Sequence, residues 1–143
     1  MLRLIYILVA LPVLLSACQF KDPNCVEGNC KNGEGTYYDE LNNSTYTGNF
    51  SNSTYQGKGA IQWKTADGIA TYEGEWDNGQ MDGSGVYTFE DGSQYIGMFK
   101  KHLFHGQGSM IWATSDATYD GEWFRDMMHG TGTYTWPDGE RYV

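Results

Sequence analysis

The sequence predicts an all-β protein, and three observations carry that reading. Glycine and aromatic residues dominate the 143-residue chain, with 19 Gly beside 11 Tyr, 6 Phe and 5 Trp. Glycine inside a helix costs about 1 kcal/mol relative to alanine, so a helical fold would be penalised along its whole length. A Tyr-x-Gly-x-aromatic segment recurs through the chain, each copy followed by Gly-x-Gly. Asp-Gly pairs at Asp67-Gly68, Asp91-Gly92 and Asp138-Gly139 supply tight hairpin turns, because glycine tolerates the positive φ such turns require. At 40% hydrophobic and 19% charged residues the chain is too aromatic and apolar for disorder. The length beyond the N-terminal segment, about 125 residues, suits a single domain.

Residues 1–17 read as a lipoprotein signal peptide. Arg3 precedes an apolar run from Leu4 to Leu15. That run contains Pro12 and falls short of the roughly 17–25 apolar residues of a membrane span. Leu15, Ser16, Ala17 and Cys18 resemble the bacterial lipobox. The resemblance implies cleavage before Cys18, diacylglycerol on its thiol, and attachment of the mature chain to a membrane through N-terminal acyl chains. The competing reading is an ordinary secretory signal that contains a cysteine. Gln19 follows Cys18 where an Asp would signal otherwise, which in sorting of the enterobacterial kind implies the outer membrane. The expected address is the cell envelope, as an outer membrane lipoprotein facing the periplasm or the cell surface.

Residues 18–29 read as the lipid-anchored tether. With Cys18 acylated, Cys25 and Cys30 remain, and in an oxidising compartment they are expected to form a disulfide that ties the tether to the first strand. A metal or redox site is the weaker alternative: the spacing is C-x4-C and no second Cys or His pair accompanies it.

Residues 30–143 form the repeat domain. Tyr46-x-Gly48-x-Phe50, Tyr72-x-Gly74-x-Trp76, Tyr95-x-Gly97-x-Phe99 and Tyr119-x-Gly121-x-Trp123 begin four full units. Their Gly-x-Gly pairs start at Gly57, Gly83, Gly106 and Gly130; Gly33-x-Gly35 and Tyr142 mark partial units at the two ends. Tyr, Gly and the second aromatic sit at i, i+2 and i+4, so in an extended strand they share one face. Each unit is thus a predicted β-hairpin. Glycine in mid-strand weakens a sheet, so its place beside large rings predicts that rings of adjoining units lie across bare backbone.

These units resemble MORN (membrane occupation and recognition nexus) repeats. The match covers about residues 30–143, and Tyr72 to Gly92 fits best, with Asn78-Gly79 between its strands. The other copies depart there, carrying Asn52-Ser53, Lys101-His102 and Arg125-Asp126. The resemblance implies an elongated, twisted antiparallel sheet of stacked hairpins used for protein interaction and scaffolding, with no catalytic residues.

The spacing from strand Tyr to the next Gly-x-Gly is 11 in every full unit, whereas the return to the next Tyr varies from 12 to 15 and is longest between Gly57 and Tyr72. Length variation therefore collects in the turns of one edge, and that edge is the candidate partner-binding surface. Its candidate contacts are Trp63, Lys64, Asp67 and Ile69, with Trp63 read as lying near a turn rather than at a repeated core position. The bland alternative is that Trp63 covers the end of the sheet, as Trp112 and Trp136 do at related positions.

Enzymatic readings fare poorly. Glu73 and Glu75 lie two repeats from Asp120 and Glu122, roughly 19 Å apart across the sheet, against the roughly 5–9.5 Å of a glycosidase pair. They read as solvated strand carboxylates. His105 and His129 precede Gly-x-Gly pairs at equivalent positions and read as structural, with His102 in a loop. No Gly-rich stretch opens a helix, so there is no phosphate loop. Without Arg3 the mature balance is 8 basic against 18 acidic residues, which argues against nucleic-acid binding and against direct docking on anionic lipid. Asn43, Asn49 and Asn52 fit N-x-Ser/Thr but read as unused in a bacterium. The expectation is a non-enzymatic module with no cofactor or metal and an unidentified protein partner. Glycan or peptidoglycan binding by the aromatic face is the alternative.

Overall fold

The computed structural model describes residues 22–143, so the signal peptide, Cys18 and the first tether residues lie outside it. Its strands are β1 (Cys25–Gly28), β2 (Gly33–Asp39), β3 (Ser44–Ser51), β4 (Thr54–Lys64), β5 (Ile69–Asp77), β6 (Gln80–Thr88), β7 (Gln94–Lys100), β8 (Leu103–Ile111), β9 (Thr118–Phe124), β10 (Met127–Thr135) and β11 (Arg141–Tyr142). They make one open antiparallel sheet in which spatial order equals chain order. No helix occurs among the described residues. β1 already pairs with β2, Cys25 opposite Tyr37, so the sheet begins inside the segment read as tether. Cys25 and Cys30 form the disulfide, and both are buried at that end of the core.

Antiparallel pairing aligns the repeats into rows across the strands. Gly35, Gly48, Gly59, Gly74, Gly85 and Gly97 stand opposite one another, and the row continues through Gly108 and Gly121 to Gly132. The adjacent row on the same face is mostly tyrosine, interrupted by Ile61 and Met110: Tyr37 faces Tyr46, and Tyr72 faces Tyr87, which faces Tyr95. Each strand tyrosine folds back over the glycines, and its hydroxyl donates to the carbonyl three residues on, from Tyr46 to Asn49 at 3.0 Å and from Tyr72 to Glu75 at 2.9 Å. Tyr95 and Tyr119 repeat the bond to Met98 and Glu122 at 2.9 and 3.1 Å.

The rings therefore lie over glycines of their own unit, not chiefly over those of a neighbour as the sequence predicted. The physical reason is reach: the glycine two residues on and its cross-strand partner are the nearest bare backbone. The following unit adds a second ring from the side, with the Trp76 indole donating to the Gly59 carbonyl at 3.0 Å and that of Trp123 to Gly108 at 2.9 Å. A third ring closes the sandwich, Tyr55 stacking on Tyr46 at 3.7 Å and Phe104 on Tyr95 at 3.8 Å between centroids. A single sheet ordinarily needs another layer to bury its apolar face; here the rings are that layer. Tyr46, Tyr72 and Tyr95 are fully buried. Burial pushes the hydroxyls of Tyr46 and Tyr95 up to about 12, which keeps them protonated as donors.

The two glycines of Gly-x-Gly do different work. In every full unit the second strand carries two more residues than the first, making a bulge opposite Asn49, Glu75, Met98 and Glu122. The first glycine sits in this bulge at positive φ, 68° at Gly57 and 57° at Gly130. The second supplies the bare surface under the tyrosine. Because the bulge inserts two residues, it leaves the alternation of faces unchanged.

All four hairpin turns share one geometry whatever their sequence. Both central residues have positive φ in each: Asn52 and Ser53, Asn78 and Gly79, Lys101 and His102, Arg125 and Asp126. These are type I′ turns, which favour Asn-Gly. The turns also form a ladder, since Ser53, Gly79, His102 and Asp126 donate their amides to Lys31, Tyr55, Met81 and Phe104 of the preceding unit. Ser53 therefore holds φ 62° against its steric preference. Ser53→Gly keeps the amide donor and is expected to add about 0.5–1 kcal/mol of stability. The check is a higher urea midpoint at unchanged slope.

Candidate binding surfaces

The candidate residues of the variable edge fall into two environments. Lys64 and Asp67 are exposed, and Ile69 is 53% exposed. Thr65 closes the turn by donating its amide to the Gly68 carbonyl at 2.9 Å, and Asn43 bridges to the Lys64 carbonyl at 3.3 Å. Trp63 is different. It lies within β4, half-buried on the aromatic face and packed at 5.9 Å from the Tyr87 ring. Phe89, Trp112 and Trp136 follow Gly-x-Gly at the same interval, so Trp63 does occupy a repeated position, and the covering role weighed as the bland alternative describes its packing. The length of this return interval suggests a turn near Trp63, whereas β4 runs on to Lys64 and the added residues fall after it.

The face opposite the rings carries an open groove of about 1250 Å³ spanning β1 to β8. Its floor is the backbone of the glycine row, whose positions are directed toward the ring face, so no side chain rises from it on this side. One wall is Thr36, Thr47, Ala60, Glu73, Val86 and Ile96, mutually opposed in the ladder. The other includes Glu34, Asn49, Lys58, Glu75, Ser84 and Met98. The groove was not foreseen, although the period-two alternation already puts bare backbone behind each ring-facing row, between two rows of side chains on the opposite face.

Glu75 and Glu122, read as solvated, are clamps for the bulge. The Glu75 carboxylate accepts from the Ser84 amide at 2.8 Å and its hydroxyl at 3.3 Å. Glu122 accepts from the Thr131 hydroxyl at 2.9 Å, and this bond with the Thr131 amide holds its carboxyl below the usual carboxylate range. Asn49 serves the first unit by donating to the Lys58 carbonyl at 3.1 Å. The sequence signal for this device is a Glu followed nine residues later by Ser or Thr. Glu73 and Asp120 stay on the open face. His105 and His129 sit on either side of the Phe124 ring at 5.3 and 5.7 Å, an arrangement of packing rather than of shared ligation.

A family model described as the MORN repeat matches residues 46–67, 72–94, 95–117 and 119–141. The chain belongs to the MORN-repeat family. The matched segments start at the four ring-bearing tyrosines, so each MORN unit is one hairpin plus the turn that leads to the next. MORN repeats suggest a binding or scaffold role.

Proposed function

We propose that this MORN protein is a lipid-anchored, non-enzymatic interaction or scaffold module of the bacterial cell envelope, held in the outer membrane through Cys18. One observation carries the interaction reading: the rings pack the sheet by themselves, so a second layer is not required and a whole face and edge remain free for a partner. The lipobox at Leu15 to Cys18 supports the anchor, and the Cys25–Cys30 disulfide suits an oxidising compartment. A protein partner at Lys64, Asp67 and Ile69, with Trp63 as support beneath, remains the reading for the edge. Glycan stacking is the second reading and would fall to the half-exposed rings such as Trp136, because Tyr46 and Tyr95 are covered on both faces.

In cells fed a labelled fatty acid, the wild-type protein is expected to take up label, while Cys18→Ala is unlabelled and either soluble or uncut. A photo-crosslinker at Ile69 should then yield a discrete protein adduct in membranes. An unlabelled wild-type protein removes the anchor, and an absence of adducts from every exposed position of the sheet removes the interaction module.

A further inference from the structure

We infer that the groove binds a basic polypeptide segment in extended conformation, a reading that rests on the interaction role proposed above and names its partner class. The charges point this way: Glu27, Glu34, Glu73 and Glu75 line the groove against the single cation Lys58. These carboxylates lie over β1, β2 and β5, and the floor between them is backbone, so a ligand chain can approach without meeting side chains. Beyond them the walls turn apolar at Val86, Ile96 and Met98, with Ile96 and Met98 each 44% exposed. The groove thus recognises cations at one end and an apolar group at the other.

Length and section select an extended chain. From β1 to β8 there are seven strand steps of about 4.8 Å, or about 34 Å. The two walls come from residues two apart in each strand, so they stand about 6.8 Å from each other, narrower than the roughly 10–12 Å of a helix with its side chains. An extended backbone, with side chains alternating toward the two walls, suits that width. Glu34 and Glu75 belong to one wall, three strand steps or about 14 Å apart, which an extended ligand covers in about four residues. Four is even, so two basic side chains at that spacing face the same wall. Ile96 lies on the other wall two steps further, about 10 Å or three residues, an odd interval that turns the apolar side chain across to meet it. The recognised pattern is basic, three residues, basic, two residues, apolar.

The test uses the full chain in detergent and a labelled ten-residue peptide with two lysines four apart and a leucine three beyond the second. Fluorescence anisotropy is expected to show binding that weakens as salt rises, and no binding by the same peptide with glutamates in place of the lysines. Glu34→Gln should weaken it about threefold to tenfold, whereas Lys58→Glu on the same wall should tighten it, both being changes at exposed positions that leave the fold intact. Absence of peptide binding, equal binding of the glutamate peptide, or an unmoved response in both variants overturns the inference. Displacement by spermine at the peptide's own affinity also overturns it, since the site then reads charge without a chain. Should the peptide fail while membrane adducts at Ile69 persist, the groove reading falls and the interaction module stands.

Discussion

Trp76→Ala is expected to cost about 3–5 kcal/mol, measured as a lowered urea midpoint. The ring is 3% exposed and meets three tyrosines edge to face, Tyr46, Tyr55 and Tyr72, at 5.2 to 5.3 Å. Its removal leaves a cavity where two units meet and strips the Gly59 carbonyl of its indole donor. Glu73→Ala, on the open face, is expected to stay within about 0.5 kcal/mol. Equal losses from the two substitutions would overturn the assignment of the rings as the second layer.

Gly59→Ala is expected to cost about 3–4 kcal/mol although it adds only a methyl group. That methyl would fall on the Tyr46 hydroxyl and ring, which cannot withdraw because Tyr55 stacks on the far side. Either the ring lifts and its bond to Asn49 breaks, or the strands part. Gly57→Ala offers the contrast, since a Cβ there meets nothing closer than Asn49 at 3.9 Å and its penalty comes from φ 68° alone. It should cost about 1–2 kcal/mol. If both alanines cost the same in denaturant titrations, the division of labour within Gly-x-Gly is wrong.

Much of this architecture was legible in the chain. The period-two spacing of Tyr, Gly and aromatic fixed which residues share a face, and the interval of 11 marked the hairpin as the rigid element. The structure explains that constancy: a ring must land on a glycine across a bulge and an I′ turn, and one added residue would turn the second strand over. What escaped the reading depended on cross-strand geometry. Lys101-His102 and Arg125-Asp126 do not look like I′ turns, and they become so because the strand register and the ladder to the previous turn leave two residues to close the loop. β1 was missed because Cys-Val-Glu-Gly carries none of the repeat's aromatic signal and joins through the disulfide and pairing alone. The groove belongs to no single residue; it emerges when outward side chains far apart in sequence align into two rows on either side of one backbone row.

The meander order has a consequence for distance. Because each strand is added beside the last, the two ends of the described chain lie at opposite ends of the sheet, ten strand steps from β1 to β11. At about 4.8 Å per step this is about 48 Å, and each further hairpin would extend it by about 9.6 Å. Repeat number is therefore a ruler. Whatever surface holds the N-terminal end, the count of hairpins sets how far from it the last strand stands, in increments that no turn insertion can alter.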